Sequence, residues 1–170
     1  MKLATQFACE LIDILENYTS SIRSMTSVQS NALKQQYQET HQIDIDSTGL
    51  STQQTRELWF IGIIEDIKEV VDSVREESFF GKVSYRQVKS LYVSILPDLP
   101  SDCRNDNINI SSVGFRIPYN SKIARLNKGV PVIARGNARV SISHEHITYH
   151  IGFSVDKLLE FRTFDELLAD

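Results

Sequence analysis

Ser51-Thr52-Gln53-Gln54, then Leu58-Trp59-Phe60-Ile61-Gly62-Ile63-Ile64, then Ile67, Val70, Val71 and Val74: the reading of this stretch decides the fold. Ser51 stands three residues before Gln54, the spacing at which a cap side chain and its partner satisfy two orphaned helix-start amides. The run from Leu58 to Ile64 is apolar on nearly all sides. Its continuation keeps one stripe between Glu65, Asp66, Lys68, Glu69, Asp72 and Arg75. The spacing predicts a helix whose front half is central, whose back half is half exposed, and which Gly81 ends. At seven residues, this longest apolar run is about a third of the roughly 20 that a membrane-spanning helix needs.

Working outward, Ser84 and Gln87 repeat the capping spacing, and Val88, Leu91, Tyr92 and Ile95 fall at i, i+3, i+4 and i+7, predicting a helix that runs to Leu96. Upstream, Ala4, Ala8, Leu11, Leu15, Tyr18, Ile22 and Met25 make a heptad-like seam over Leu3 to Met25, widened by Phe7 and Ile14. A core-facing helix is the preferred meaning of this seam, with an intermolecular coiled coil as the alternative. A second, weakly anchored helix is expected over Thr26 to His41. Pro97 and Pro100 then begin a stiff connector that reaches Asp106.

Past the connector the apolar period changes from 3.6 to 2. Val113, Phe115 and Ile117 alternate with polar residues, as do Val140 and Ile142, and Ile147, Tyr149, Ile151, Phe153 and Val155. Val130 to Arg135 reads as a further strand, starting at an edge because of Pro131. Asn127-Lys128-Gly129 and Gly136-Asn137 read as turns, Ser143 to His146 as a hairpin loop, and Asn120 to Leu126 as a short helical turn. Closing helices are expected over Val155 to Phe161 and Thr163 to Leu168. The resulting class is α+β in one domain. Long N-terminal helices (1–97) and a Pro-rich connector (98–106) precede an antiparallel meander of about four strands (107–155), closed by short helices (156–170).

The chain has 170 residues, 41% of them hydrophobic and 24% charged, with 7 Gly and 4 Pro, which excludes fibrous and wholly disordered classes. Thr5, Gln6 and Glu10 stand where a secretory leader would be apolar, so a soluble chain is expected. Cys9 and Cys103 lie 94 residues apart and form no metal or redox motif. Free thiols in a reducing, cytoplasmic setting are the expectation. On that expectation the glycosylation patterns at Asn17 and Asn109 carry no meaning.

The net charge of −4 conceals a division. Residues 1–106 hold 16 acids and 10 bases, 107–144 hold 6 bases and no acid, and 145–170 hold 6 acids and 2 bases. Strand parity puts Arg116, Arg135, Arg139 and His150 on one outward surface, with Lys122, Arg125 and Lys128 at its margin. Guanidiniums hold carboxylates and phosphates by paired hydrogen bonds. Three partners fit such a face. One is the chain's own acidic segment, Glu65 to Glu77, in the same or a second copy. Another is a protein with an acidic patch. The third is nucleic acid, for which Phe115, Tyr149 and Phe153 fall on the buried parity and only Tyr119 is left for stacking.

His144, Glu145, His146 and His150 form the one dense cluster able to hold a metal or move protons, and a continuous strand would put the three histidines on one side. Arg139 and His144 also share an Arg-x4-His spacing with some metal-free ribonucleases, which carry it on a helix. No phosphate-binding glycine loop, nucleophile elbow or HExxH occurs. The leading expectation is a non-enzymatic interaction or regulatory protein, without a cofactor, that docks an acidic partner on the basic face. It self-associates through the Ala4–Met25 helix or the Trp59 region. A nucleic-acid-binding factor and a histidine-centred metal-dependent hydrolase or nuclease are the alternatives.

Overall fold

The computed structural model describes residues 1–101, 103 and 107–169. Two helices open the chain, α1 (Ala4–Ile22) and α2 (Ser27–His41), followed by a small hairpin of β1 (Ile43–Ile45) and β2 (Gly49–Thr52). Next come the long strands β3 (Arg56–Glu77) and β4 (Val83–Pro97), and then β5 (Ile108–Ile110), β6 (Val113–Pro118) and the one-turn helix α3 (Ser121–Ala124). The chain finishes with β7 (Pro131–Glu145), β8 (Thr148–Thr163) and the short helix α4 (Phe164–Ala169).

Strands account for 52% of the protein and helices for 27%, so the expected architecture of long N-terminal helices on a four-stranded meander is overturned. The largest correction falls on residues 51–97. The two helices expected there are β2, β3 and β4, and β3 alone runs for 22 residues. Ile61, Ile63, Ile64, Ile67, Val70, Val71 and Val74 are all β-branched, stiff at χ1 and favoured on a pleated surface. The closing helix expected over Val155 to Phe161 is likewise the continuation of β8.

All eight strands belong to one sheet, in which β7 is the organising strand. Its first half pairs antiparallel with β3 (Leu58↔Gly136, Phe60↔Ala134), its last residues with β2 (Leu50↔Ile142), and its whole other edge with β8. Beyond β3 lie β4 and β6, and β5 adds a parallel pairing, on β8. Pro131 opens β7 at its first residue, where the missing amide is harmless, although the strand is internal and not the edge expected. Gly136, expected in a turn, is buried mid-strand beside two bulges in the β7–β8 ladder. At Gly62 an added Cβ would lie 2.2 Å from the Leu96 carbonyl oxygen, so glycine is what lets β3 and β4 approach there.

One face of the sheet carries the core: Leu58, Phe60, Ile64, Leu91, Val93, Ile95, Val113, Phe115, Val132, Ala134, Val140, Ile142 and Ile151 are buried. The sheet curls, so that Phe115 of β6 meets Phe161 of β8 with ring centroids 5.6 Å apart. Across this face lies α1, burying Ala4, Ala8, Leu11, Ile12, Leu15 and Tyr18. The heptad-like seam is therefore occupied by the chain's own sheet. In contrast, α2 has no buried residue and is held by a capping box at Thr26 and Gln29 and by the Tyr18–Tyr37 contact. Both helices, the helical turn after Asn120 and the Thr163 cap of α4 lie where the spacing predicts.

Cys9 and Cys103 are joined in a disulfide, and the free-thiol expectation is corrected. Spacing could not reveal it, because the two residues meet only once β3 and β4 have carried the chain out and back to α1. Of the stiff connector expected over 98–106, Asp102, Arg104, Asn105 and Asp106 lie outside the described residues.

Candidate functional site

The parity argument places the basic side chains correctly, but their environment differs from the expectation. Val113, Phe115 and Ile117 are buried while Arg116 faces outward, and Arg135, Arg139 and His150 share that outward face. Arg116 is then taken by Asp72 of β3 at 3.0 Å. Arg135 lies between Glu57 at 2.5 Å and Glu160 at 3.3 Å, with its guanidinium carbon 5.3 Å from the centre of the Trp59 ring. The Glu57 hydrogen bond raises the Arg135 pKa, and Glu160 adds to it against the opposing effect of partial burial. Two of the three sheet arginines thus serve the chain's own acids. The basic face is largely neutralised there, at Arg116 by the Glu65–Glu77 segment, one of its three candidate partners, and Trp59 is half-buried beneath Arg135.

Arg139 remains exposed, beside a shallow groove of about 360 Å³ lined by Asp44, Gln53 and Ser154 among others. Lys122, Arg125 and Lys128 are exposed on the connection from β6 to β7, in and after α3.

The histidines are separated. β7 continues to Glu145, and a two-residue loop, His146-Ile147, turns the chain, with His146 at the left-handed φ of 57° that such loops demand. His144 stacks on Tyr149 with centroids 4.2 Å apart, on the face that α1 covers, whereas His150 alternates to the opposite face. Among the described residues no three His, Cys, Asp or Glu side chains converge as a metal site.

Tyr149 is 6% exposed, and burial, followed by the nearby Glu16 and then Asp13, pushes its phenol from 10.0 up to about 12. The native state keeps this proton where the unfolded chain has lost it. The associated stability is therefore intact below about pH 10 and falls away as the pH approaches 12. Spectrophotometric titration should show a late tyrosinate step that Tyr149→Phe removes. An unchanged titration curve would contradict the burial argument. In the nearby β1–β2 turn, Asp46 accepts from the Thr48 hydroxyl and amide and from the Gly49 amide, which holds its carboxyl below the usual range and pins the turn.

The feature that sequence reading missed is an arm. β3 loses its β7 neighbour after Ile63, and β4 has no β6 neighbour before Ser90, so Val71–Glu77 and Val83–Lys89 pair only with each other. Every residue from Val71 to Gln87, 17 in succession, is exposed. Seven strand residues past Val70 extend the ribbon by roughly 20 Å. At its tip, Ser78 and Lys82 close a five-residue loop through the Ser78 amide and Lys82 carbonyl at 2.8 Å, with Gly81 at φ 77°. Phe79 and Phe80 stand there 98% and 92% exposed, edge to face with centroids 5.7 Å apart. The signal available was Gly81 between two β-branched stretches, which fits a hairpin as well as a helix end.

No protein family, curated protein or solved structure matches this chain. Among the described residues no helix is long and apolar enough to cross a membrane.

Proposed function

We propose that this chain is a non-enzymatic interaction protein whose contact element is the β3–β4 arm. The observation that carries the reading is the fully exposed pair Phe79 and Phe80 at the tip of the arm, midway along 17 successive exposed residues. An isolated two-stranded ribbon is marginal in water, and adjacent bare phenyl rings contribute nothing to the monomer. Seated in a partner, aromatic side chains of this kind are the groups that dominate contact energies. Docking of an acidic protein or of nucleic acid on the sheet face has less support, because Arg116 and Arg135 are already held by Asp72, Glu57 and Glu160. The Cys9–Cys103 bond supports an oxidising compartment in place of the cytoplasmic one expected from cysteine spacing.

The test is site-specific photocrosslinking in the native host. Phe79→p-benzoylphenylalanine should give a discrete adduct, while the same substitution at Gln36, exposed on α2, gives none. Absence of any adduct from the arm, with the variant folded and abundant, would remove the proposal.

A further inference from the structure

Resting on the reading of the arm as the contact element, we infer that its partner is a second copy of this chain. In this arrangement the acidic β3 edge of one arm pairs with the basic β4 edge of the next. The first argument is area. A monomer of 19.4 kDa normally exposes about 8,500 Å², by the scaling of surface with mass. This chain exposes 10978 Å², an excess of roughly 2,500 Å² that matches what a protomer gives up in an obligate assembly.

The second argument is backbone hydrogen bonding. Among the described residues, neither the β3 edge beyond Glu65 nor the β4 edge before Ser90 has a ladder partner. Each presents amides and carbonyls without a ladder partner, a template for strand addition.

The third argument is charge, and it selects the geometry. From Glu65 to Glu77, β3 carries Glu65, Asp66, Glu69, Glu76 and Glu77, besides the Asp72 that Arg116 holds, against Lys68 and Arg75, while Lys82 to Lys89 carries Lys82, Arg86 and Lys89 and no acid. Two-fold pairing of arms would set acid on acid or base on base, which opposes it. Pairing β3 of one copy with β4 of the next sets acid on base. It also repeats between chains what Glu76–Arg86 at 2.8 Å and Glu69–Lys89 at 3.3 Å already do within the arm. With neighbouring arms pointing the same way the new pairing is antiparallel, as in the hairpin itself, and it gathers the Phe79–Phe80 tips at one end. The contact is head to tail, so it propagates into a ring or filament and does not stop at a dimer.

Light scattering on the purified, oxidised full-length chain provides the test. At about 0.01 M salt, where the screening length is about 30 Å, assemblies of three or more copies are expected, and these should dissociate near 1 M, where it is about 3 Å. Charge reversal on one edge, either Glu69→Lys with Glu76→Lys or Arg86→Glu with Lys89→Glu, should leave each variant less assembled. Mixing the two should restore mass, because each then offers the other opposite edges. Circular dichroism of each variant checks that the fold survives. A monomer at all concentrations, a strict dimer, or a mixture no larger than its components would overturn the inference. If the purified chain stays monomeric while position 79 cross-links to a different polypeptide in the host, the second-copy inference fails and the arm remains the contact element. If neither occurs, both fail.

Discussion

Reduction of the Cys9–Cys103 bond, or Cys9→Ser, should lower the unfolding free energy by about 2–5 kcal/mol. The bond ties α1, near its start, to the segment that follows β4, and it closes 94 residues of chain between Cα atoms 6.0 Å apart. Within that span lie α2 and the arm, whose own attachment to the core is thin: α2 has no fully buried residue and packs only Leu33 and Tyr37 partly against the core, and the arm is exposed from Val71 to Gln87. Cross-linking removes conformations from the unfolded chain, and longer loops gain more by this account. Urea titrations with and without reductant provide the measurement, with thiol counting on the denatured, unreduced protein as a companion. Equal midpoints, or two reactive thiols before reduction, would refute both the bond's contribution and the oxidising compartment inferred from it.

Phe60→Ala should cost about 3–5 kcal/mol, a large share of the 5–15 kcal/mol typical of a domain. Phe60 is 2% exposed on the core face of β3, edge to face with Phe153 at 5.3 Å, in the part of the sheet where β3 is flanked by β7. Truncation there removes apolar burial and leaves a cavity on the core face of the sheet, where the hydrogen-bonded backbone of β3 and β7 cannot move in to fill it without disturbing the ladder. Phe79→Ala is the matched comparison. With that side chain 98% exposed, its effect on stability should stay within about 0.5 kcal/mol. Denaturant midpoints of the two variants therefore separate the half of β3 that builds the core from the half that projects. Similar losses at positions 60 and 79 would mean that the tip is packed against something and that the arm is not a free element.

The contrast between those two phenylalanines also explains what could be read in the chain. Where a face is buried, the pattern was legible: Ala4, Ala8, Leu11, Leu15 and Tyr18 for α1, and Val113, Phe115 and Ile117 for β6. The outward parity of Arg116, Arg135, Arg139 and His150 followed from the same alternation. On the arm neither face meets a core, so nothing selects a two-residue period. There Ile67, Val70, Val71 and Val74 fall at helical spacing although every one is β-branched. The front half of β3 misleads differently. Ile61 is half-buried and Ile63 only partly exposed on the outer face, which erases the polar alternation of a one-sided strand.

Local physics, written in burial period and caps, determined from the sequence alone which faces of α1 and β6 are buried, where α1, α2 and α4 begin, and which way the basic side chains of β6 and β7 point. Tertiary structure decided whatever depends on residues far apart along the chain: that Asp72 reaches Arg116, that Glu57 and Glu160 enclose Arg135, that Cys9 meets Cys103, and that β3 outruns its neighbours to form the arm. The reason is that charge pairing, disulfide formation and the end of a ladder are set by which strands lie side by side, and strand order is a property of the folded sheet.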